Sequence, residues 1–164
     1  MSQLQTEQAA TTDVQPVVIA TDDTFAHAYS SVSEMLSDRN LRAKGGVEFF
    51  DRSGRRLAPL LTDAWEVRGL VPTVDEPDPA LLQRRLVAVV QHVGDYIRRH
   101  PEVVAGSGMP ADEAVAALPH LGKDTLAEDV SKLPGAGTPS GATIRPMDSG
   151  GWFHNAMHAA GWAH

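Results

Sequence analysis

The chain has 164 residues, of which 42 % are hydrophobic and 21 % are charged, and this composition is typical of one folded domain with tails. Its formal charge of −7 argues against nucleic acid as a partner, because the neutralisation of phosphates requires a basic surface. The absence of cysteine excludes disulfides, thiolate metal sites and thiol catalysis. We recognise neither a secretory signal nor a stretch of about 18 apolar residues, so we expect a cytoplasmic protein with no membrane partner.

The first elements are predicted from short apolar patterns. Residues 1–15 are mostly polar and predict a disordered arm. The β-branched run at 17–20 predicts a buried strand. Thr21 or Asp22 is suited to capping a helix over 25–36, because the apolar residues that follow recur at helical spacing. These residues are Phe25, Ala28, Tyr29, Val32, Met35 and Leu36.

A β-hairpin is predicted next, with arms at 47–50 and 55–61. The connecting residues 51–54 begin with Asp and end with Gly, as a type I turn prefers. Pro59 cannot donate to a strand ladder, so we expect the second arm at the edge of the sheet. Alternation of apolar and polar residues over 65–71 predicts a third strand.

The clearest helix signal begins at Asp78, a capping residue that is followed by Pro79 at the first helical position. Pro101 ends the helical pattern. Its apolar stripe consists of Leu82, Leu86, Val89, Val90, Val93 and Ile97. Two shorter helices are predicted over 110–118 and 124–133.

These elements predict a single α+β domain over residues 16–133, with a small antiparallel sheet, helices packed on one face, and flexible terminal segments. Residues 134–151 contain five Gly and three Pro, which is the composition of a linker. No nucleophile elbow or phosphate loop occurs in the domain, and we interpret Ser107 as a helix cap rather than a nucleophile. The domain sequence therefore predicts no catalytic residue.

The last segment, 152–164, holds two of the three Trp and three of the seven His of the chain. Large aromatic side chains provide much of the binding energy at interfaces. The leading prediction is therefore a non-enzymatic accessory or recognition protein that engages a protein partner through this segment, docked in cis or in trans. Its predicted anchors are Trp152, Phe153, Met157 and Trp162.

Two other predictions use the same segment. His154 and His158 are four residues apart, so on a helix both imidazoles face one side and could bind Zn²⁺ or Cu²⁺; an exposed or packed His pair is the alternative. The Gly150-Gly151 pair resembles in layout the double-glycine boundary of ribosomally made peptide precursors. This resemblance implies a terminal segment that a modifying enzyme processes.

Overall fold

The structure is a computed structural model that describes residues 14–38, 46–135 and 156–157. Its strands are β1 (Val17–Ala20), β2 (Ala26–Ala28), β3 (Val47–Phe50), β4 (Arg56–Leu61) and β5 (Val67–Pro72). Its helices, within the same residues, are α1 (Val32–Ser37), α2 (Pro79–Arg99), α3 (Glu102–Ala105), α4 (Ala111–Ala116) and α5 (Leu126–Ser131). The predicted N-terminal arm lies almost entirely outside the described residues.

The five strands form one antiparallel sheet in the order β2-β1-β3-β4-β5. Val17 of β1 pairs with Ala28 on one side and with Phe50 on the other, which fixes the register at the centre of the sheet. The predicted α+β fold with a small antiparallel sheet is therefore confirmed.

The predicted β3–β4 hairpin is confirmed together with its turn. Gly54 N donates to the carbonyl of Asp51 at 3.1 Å, and the Asp51 carboxylate accepts from Ser53 N at 2.9 Å. The expected edge position of β4 is wrong, because β5 pairs with it from the other side. Pro59 is tolerated there because β3 pairs with β4 only at Arg56 and Leu57, so the missing N–H lies beyond that ladder.

The helix predicted over 25–36 is wrong in its first half. Asp23, at φ 60°, lies in a tight turn that brings Phe25 back to Ala20, whose N donates to the Phe25 carbonyl at 2.9 Å. The chain therefore returns beside β1 as β2, and a helix begins only at Val32. Apolar residues spaced by three and four also fit a short strand that is followed by a turn and a helix, so pairing with β1 outweighed the local pattern.

Two apolar clusters cover the two faces of the sheet. On the first face, Val17, Ile19 and Phe50 pack with α2, α3, α4 and α5. On the second face, Val18 and Phe49 pack with α1 and with the inward side chains of β4 and β5. Alternate residues of each strand face opposite layers, so a single run such as Val17–Ala20 contributes to both clusters.

The long helix α2 is confirmed from its first residue. The Asp78 side chain accepts from Leu81 N at 3.1 Å and Pro79 stands at the start of the helix. The helices predicted near 110 and 124 are confirmed with shorter bounds, and Thr125 caps α5 in a capping box with Glu128. The sequence did not predict α3, which is a single turn. In the described part of the chain, no helix combines the length and the apolarity needed to cross a membrane.

Candidate functional site

The C-terminal segment enters the core of the domain at Ala156 and Met157. Both residues are helical and fully buried, and both belong to the first-face cluster with β1, α2 and α5. Met157, one of the predicted partner anchors, is therefore buried in the core of the chain itself. Buried thioether side chains fill irregular gaps in cores, which suits this position.

The other predicted site residues fall outside the described residues. They are the aromatic anchors Trp152, Phe153 and Trp162 and the histidines His154 and His158. The Zn²⁺ or Cu²⁺ site and the processing boundary at Gly150-Gly151 also stay predictions. Within the described ranges, no three His, Asp or Glu side chains are grouped as metal ligands.

The chain also packs against the sheet immediately after α5. Pro134 is buried, and its carbonyl accepts from Ala28 N at 3.0 Å, so it occupies a position on the outer side of β2. Gly135 has a φ of 72°, and a Cβ at this residue would overlap the His27 imidazole and lie 2.5 Å from the Ala28 carbonyl oxygen. Only glycine fits there without strain. The residues that open the predicted linker thus seal part of a sheet edge.

A cluster of polar side chains lies beside this sealed edge. The Tyr29 hydroxyl donates to the Asp38 carboxylate at 2.5 Å, and its ring stacks on His27 with the centroids 4.3 Å apart. Arg52 donates to the Tyr29 carbonyl at 3.1 Å. Burial first, and then the hydrogen bond to Asp38, raises the pKa of Tyr29 far above its usual value, whereas burial lowers the pKa of Arg52. The Tyr29 phenol is therefore held protonated as a hydrogen-bond donor, and its role is structural.

Arg85 forms a second polar cluster between α2 and the sheet. Its side chain is 13 % exposed, and it pairs with Asp23 at 2.9 Å and with Glu48. It also donates to the Ala20 carbonyl at 3.0 Å, and its guanidinium lies 5.8 Å from the centre of the Phe50 ring. Each guanidinium nitrogen has a partner inside the fold, so this cation joins three elements rather than forming an anion site.

A third cluster fixes the loop between α4 and α5. Asp129 is fully buried, and one of its oxygens accepts from Gln83 Nε2 at 2.6 Å and from Gly122 N at 2.9 Å. Its other oxygen has no hydrogen bond and lies 4.0 Å from Lys132 Nζ. Lys132 donates to the Asp124 carboxylate at 2.8 Å, and this hydrogen bond raises the pKa of the ammonium. The Lys132 side chain, which is 34 % exposed, thus supplies a positive charge beside these two carboxylates.

An open groove of about 400 Å³ separates α2 from the α4–α5 connection. Its lining includes Asp95, Arg98, Val115, Leu118 and His120. Gly94 lets Leu118 approach α2 closely, because a Cβ on Gly94 would lie 3.3 Å from that side chain. The two opposite charges, Asp95 and Arg98, pair with each other at 3.4 Å, so the groove presents no net charge of one sign from these side chains.

The sequence prediction missed the roles of Pro134, Gly135 and Tyr29. The first two belong to a Gly/Pro-rich run whose composition is typical of a linker, and the spacing of apolar residues places Tyr29 in the stripe of a predicted helix. Only the presence of a polar hydroxyl in that stripe could have signalled the Tyr29 contact. Comparison of the chain with protein-family models, with curated proteins and with solved structures found no match in any of the three.

Proposed function

We propose that the protein is a non-enzymatic recognition protein that presents the aromatic residues of its C-terminal segment to a protein partner from a base anchored in its own core. The observation that supports this proposal is the complete burial of Ala156 and Met157 in the first-face cluster. These two residues lie between the predicted anchors Trp152 and Phe153 on one side and Trp162 on the other.

Anchoring affects the free energy of binding. A free tail loses conformational entropy when a partner orders it, and each immobilised residue adds to that cost. A segment that is fixed at Ala156 and Met157 loses part of its conformational entropy when the domain folds, so it loses less when a partner binds. Aromatic side chains beside such a fixed point gain affinity without new contacts.

The decisive comparison is between two variants of the full chain. The first replaces Trp152, Phe153 and Trp162 with Ala, and the second is Met157→Ala. The partner is captured from extracts of the source organism with the wild-type chain, purified, and titrated against both variants by calorimetry.

We expect the triple variant to lose at least about tenfold in affinity with little change in Tm, because hot-spot truncations typically cost more than ~1.4 kcal/mol of binding free energy. We expect Met157→Ala to lower the Tm instead. If the triple variant melts as early as Met157→Ala, its aromatic residues belong to the core, and the proposal fails. Unchanged affinity of the triple variant contradicts it equally.

A further inference from the structure

Trp65, the third Trp of the chain, is presented at the tip of the β4–β5 hairpin. Alternation predicts it inside a strand, but β5 begins only at Val67. The indole is exposed, with 60 % of the residue accessible to solvent, and the backbone has a φ of 64°. A bulky residue in the left-handed region is uncommon.

The tip is held rigid by hydrogen bonds to Thr62. Thr62 N donates to the Glu66 carbonyl at 2.9 Å, and Trp65 N donates to the Thr62 carbonyl at 3.0 Å. The Thr62 hydroxyl accepts from Ala64 N and from Glu66 N, each at 3.2 Å. The backbone conformation at Trp65 is therefore set before any partner arrives, which lowers the entropic cost of binding.

Stability of the turn does not explain a Trp at this position. Glycine adopts a positive φ without steric cost, whereas a side chain with a Cβ is strained there. An indole with 60 % of the residue exposed recovers only part of that cost by burial. Strain held at an exposed, rigid position is a feature of ligand-contacting residues.

The hairpin that carries Trp65 exposes one further large apolar side chain and two acidic side chains in its turn. Leu60 is 41 % exposed and lies opposite Gly69 in the β4–β5 ladder, on the side of the hairpin that the first-face cluster leaves uncovered. Asp63 and Glu66, which lie in the same turn as Trp65, are both exposed, and the exposed Arg68 follows in β5. The chain as a whole carries a charge of −7, so the long-range field also favours a basic partner.

We propose that Trp65 and Leu60 form a docking surface for a protein partner that offers an apolar pocket bordered by Lys or Arg side chains. Trp65 enters the pocket, and Asp63 and Glu66 pair with its basic border. This surface is independent of the C-terminal segment and does not require the function proposed above.

The first test needs only the purified chain. Trp65→Gly removes the strain, so we expect the Tm to rise by about 2–4 °C, the shift expected when a small local cost is relieved in a chain of this size. Val74→Gly is the matched control, because Val74 is 98 % exposed and has no positive φ; we expect no rise there. A fall in the Tm of Trp65→Gly would show that Trp65 stabilises the fold, and the docking proposal would be overturned.

The second test identifies the partner. A photo-crosslinking phenylalanine analogue replaces Trp65 in the source organism, with the exposed Ala105 of α3 as the control position. A crosslinked protein supports the proposal only if, after purification, it binds the wild-type chain at least about tenfold more tightly than it binds the Trp65→Gly variant. The double variant Asp63→Lys with Glu66→Lys reverses the charge of both acidic side chains. We expect it to weaken binding and to reduce the dependence of the affinity on salt.

Three outcomes of this second test would also overturn the proposal. They are the same trapped species at positions 65 and 105, a second copy of this chain as the trapped protein, and unchanged affinity in Trp65→Gly. The variant with Ala at Trp152, Phe153 and Trp162 is titrated in parallel. Loss of affinity in that variant alone assigns the partner to the C-terminal segment and removes it from the Trp65 surface.

Discussion

Tyr29 is a side chain whose acid–base chemistry the fold changes strongly. Burial and the hydrogen bond to Asp38 both favour the protonated phenol, so the pKa of Tyr29 rises. A raised pKa makes protonation and folding mutually dependent. The resulting stability is fully present below the pKa of an unfolded-state tyrosine, about 10, and is lost as the pH rises through the higher folded-state pKa.

We predict that Tyr29 does not ionise at pH 11 while the protein stays folded. The chain has two Tyr, so Tyr96→Phe leaves Tyr29 as the only phenol. The absorbance of this variant at the phenolate band should stay low at pH 11 and rise only when urea unfolds the chain. Ionisation at pH 10 in the folded protein would contradict the buried donor role, and the double variant Tyr29→Phe with Tyr96→Phe, which has no phenol, serves as the blank.

Arg85 is a residue at which the structure predicts how a substitution changes the free energy of unfolding. Its fork reaches Asp23, Glu48 and the Ala20 carbonyl at once, which the single ammonium of lysine cannot do. We predict that Arg85→Lys lowers the free energy of unfolding by about 1–3 kcal/mol, discounted from the cost of a fully buried pair because Asp23 is partly exposed. Urea denaturation measures this, and the neighbouring exposed Arg84→Lys should stay within about 0.5 kcal/mol of wild type.

At the scale of elements, the sealed outer side of β2 distinguishes the structure from the sequence prediction. An outer strand normally exposes unpaired N–H and C=O groups. Here the Pro134 carbonyl receives the Ala28 N–H, and Gly135 lies directly against His27. Pro134 and Gly135 therefore cover part of the outer edge of β2, although they do not form a sixth strand.

We predict that Gly135→Ala destabilises the protein by about 1–3 kcal/mol, because the new Cβ overlaps His27 and the positive φ is strained. Gly106→Ala is the matched control: its φ is −64° and a Cβ there meets nothing within 4 Å. We expect that variant to be neutral or slightly stabilising. Equal effects of the two substitutions, measured by thermal unfolding, would show that Gly135 does not pack on β2.

Local signals decide which elements the sequence predicts. Asp78 and Pro79 mark the start of α2, and a long apolar stripe confirms its length, so no distant contact is needed. The helical spacing at 25–28 does not reveal the short strand β2, because that strand depends on pairing with β1 across a turn. Alternation likewise predicts Trp65 inside a strand, because it does not reveal the irregularity of the β4–β5 ladder at Leu60 and Leu61.

The core of the domain includes residues from the last quarter of the chain. Met157 and Ala156 complete the cluster to which β1 and α2 contribute. The composition of the terminal segment, rich in Trp and His, marks it as distinctive. Composition does not indicate whether residues of this segment pack against the domain of the same chain. A Gly/Pro-rich run separates it from the domain in the sequence, and only the three-dimensional core shows where Met157 belongs.

We predict that removal of residues 152–164 destabilises the domain rather than leaving it intact. Loss of a buried Met side chain alone costs about 2–5 kcal/mol, so the truncated chain should melt well below wild type. Met157→Ala should reproduce much of this loss, and the volume-conserving Met157→Leu should cost less than about 1.5 kcal/mol. A truncated chain with the Tm of wild type would show that Met157 contributes no core packing.

The hydrogen bond between Ala28 and Pro134 has a consequence for synthesis on the ribosome. Pro134 is made about 100 residues after Ala28. At about 5–20 residues per second, the nascent strand waits on the order of ten seconds before its covering segment exists. During that interval β2 presents open backbone groups to its neighbours in the polysome, which is when a chaperone would have its greatest effect on yield.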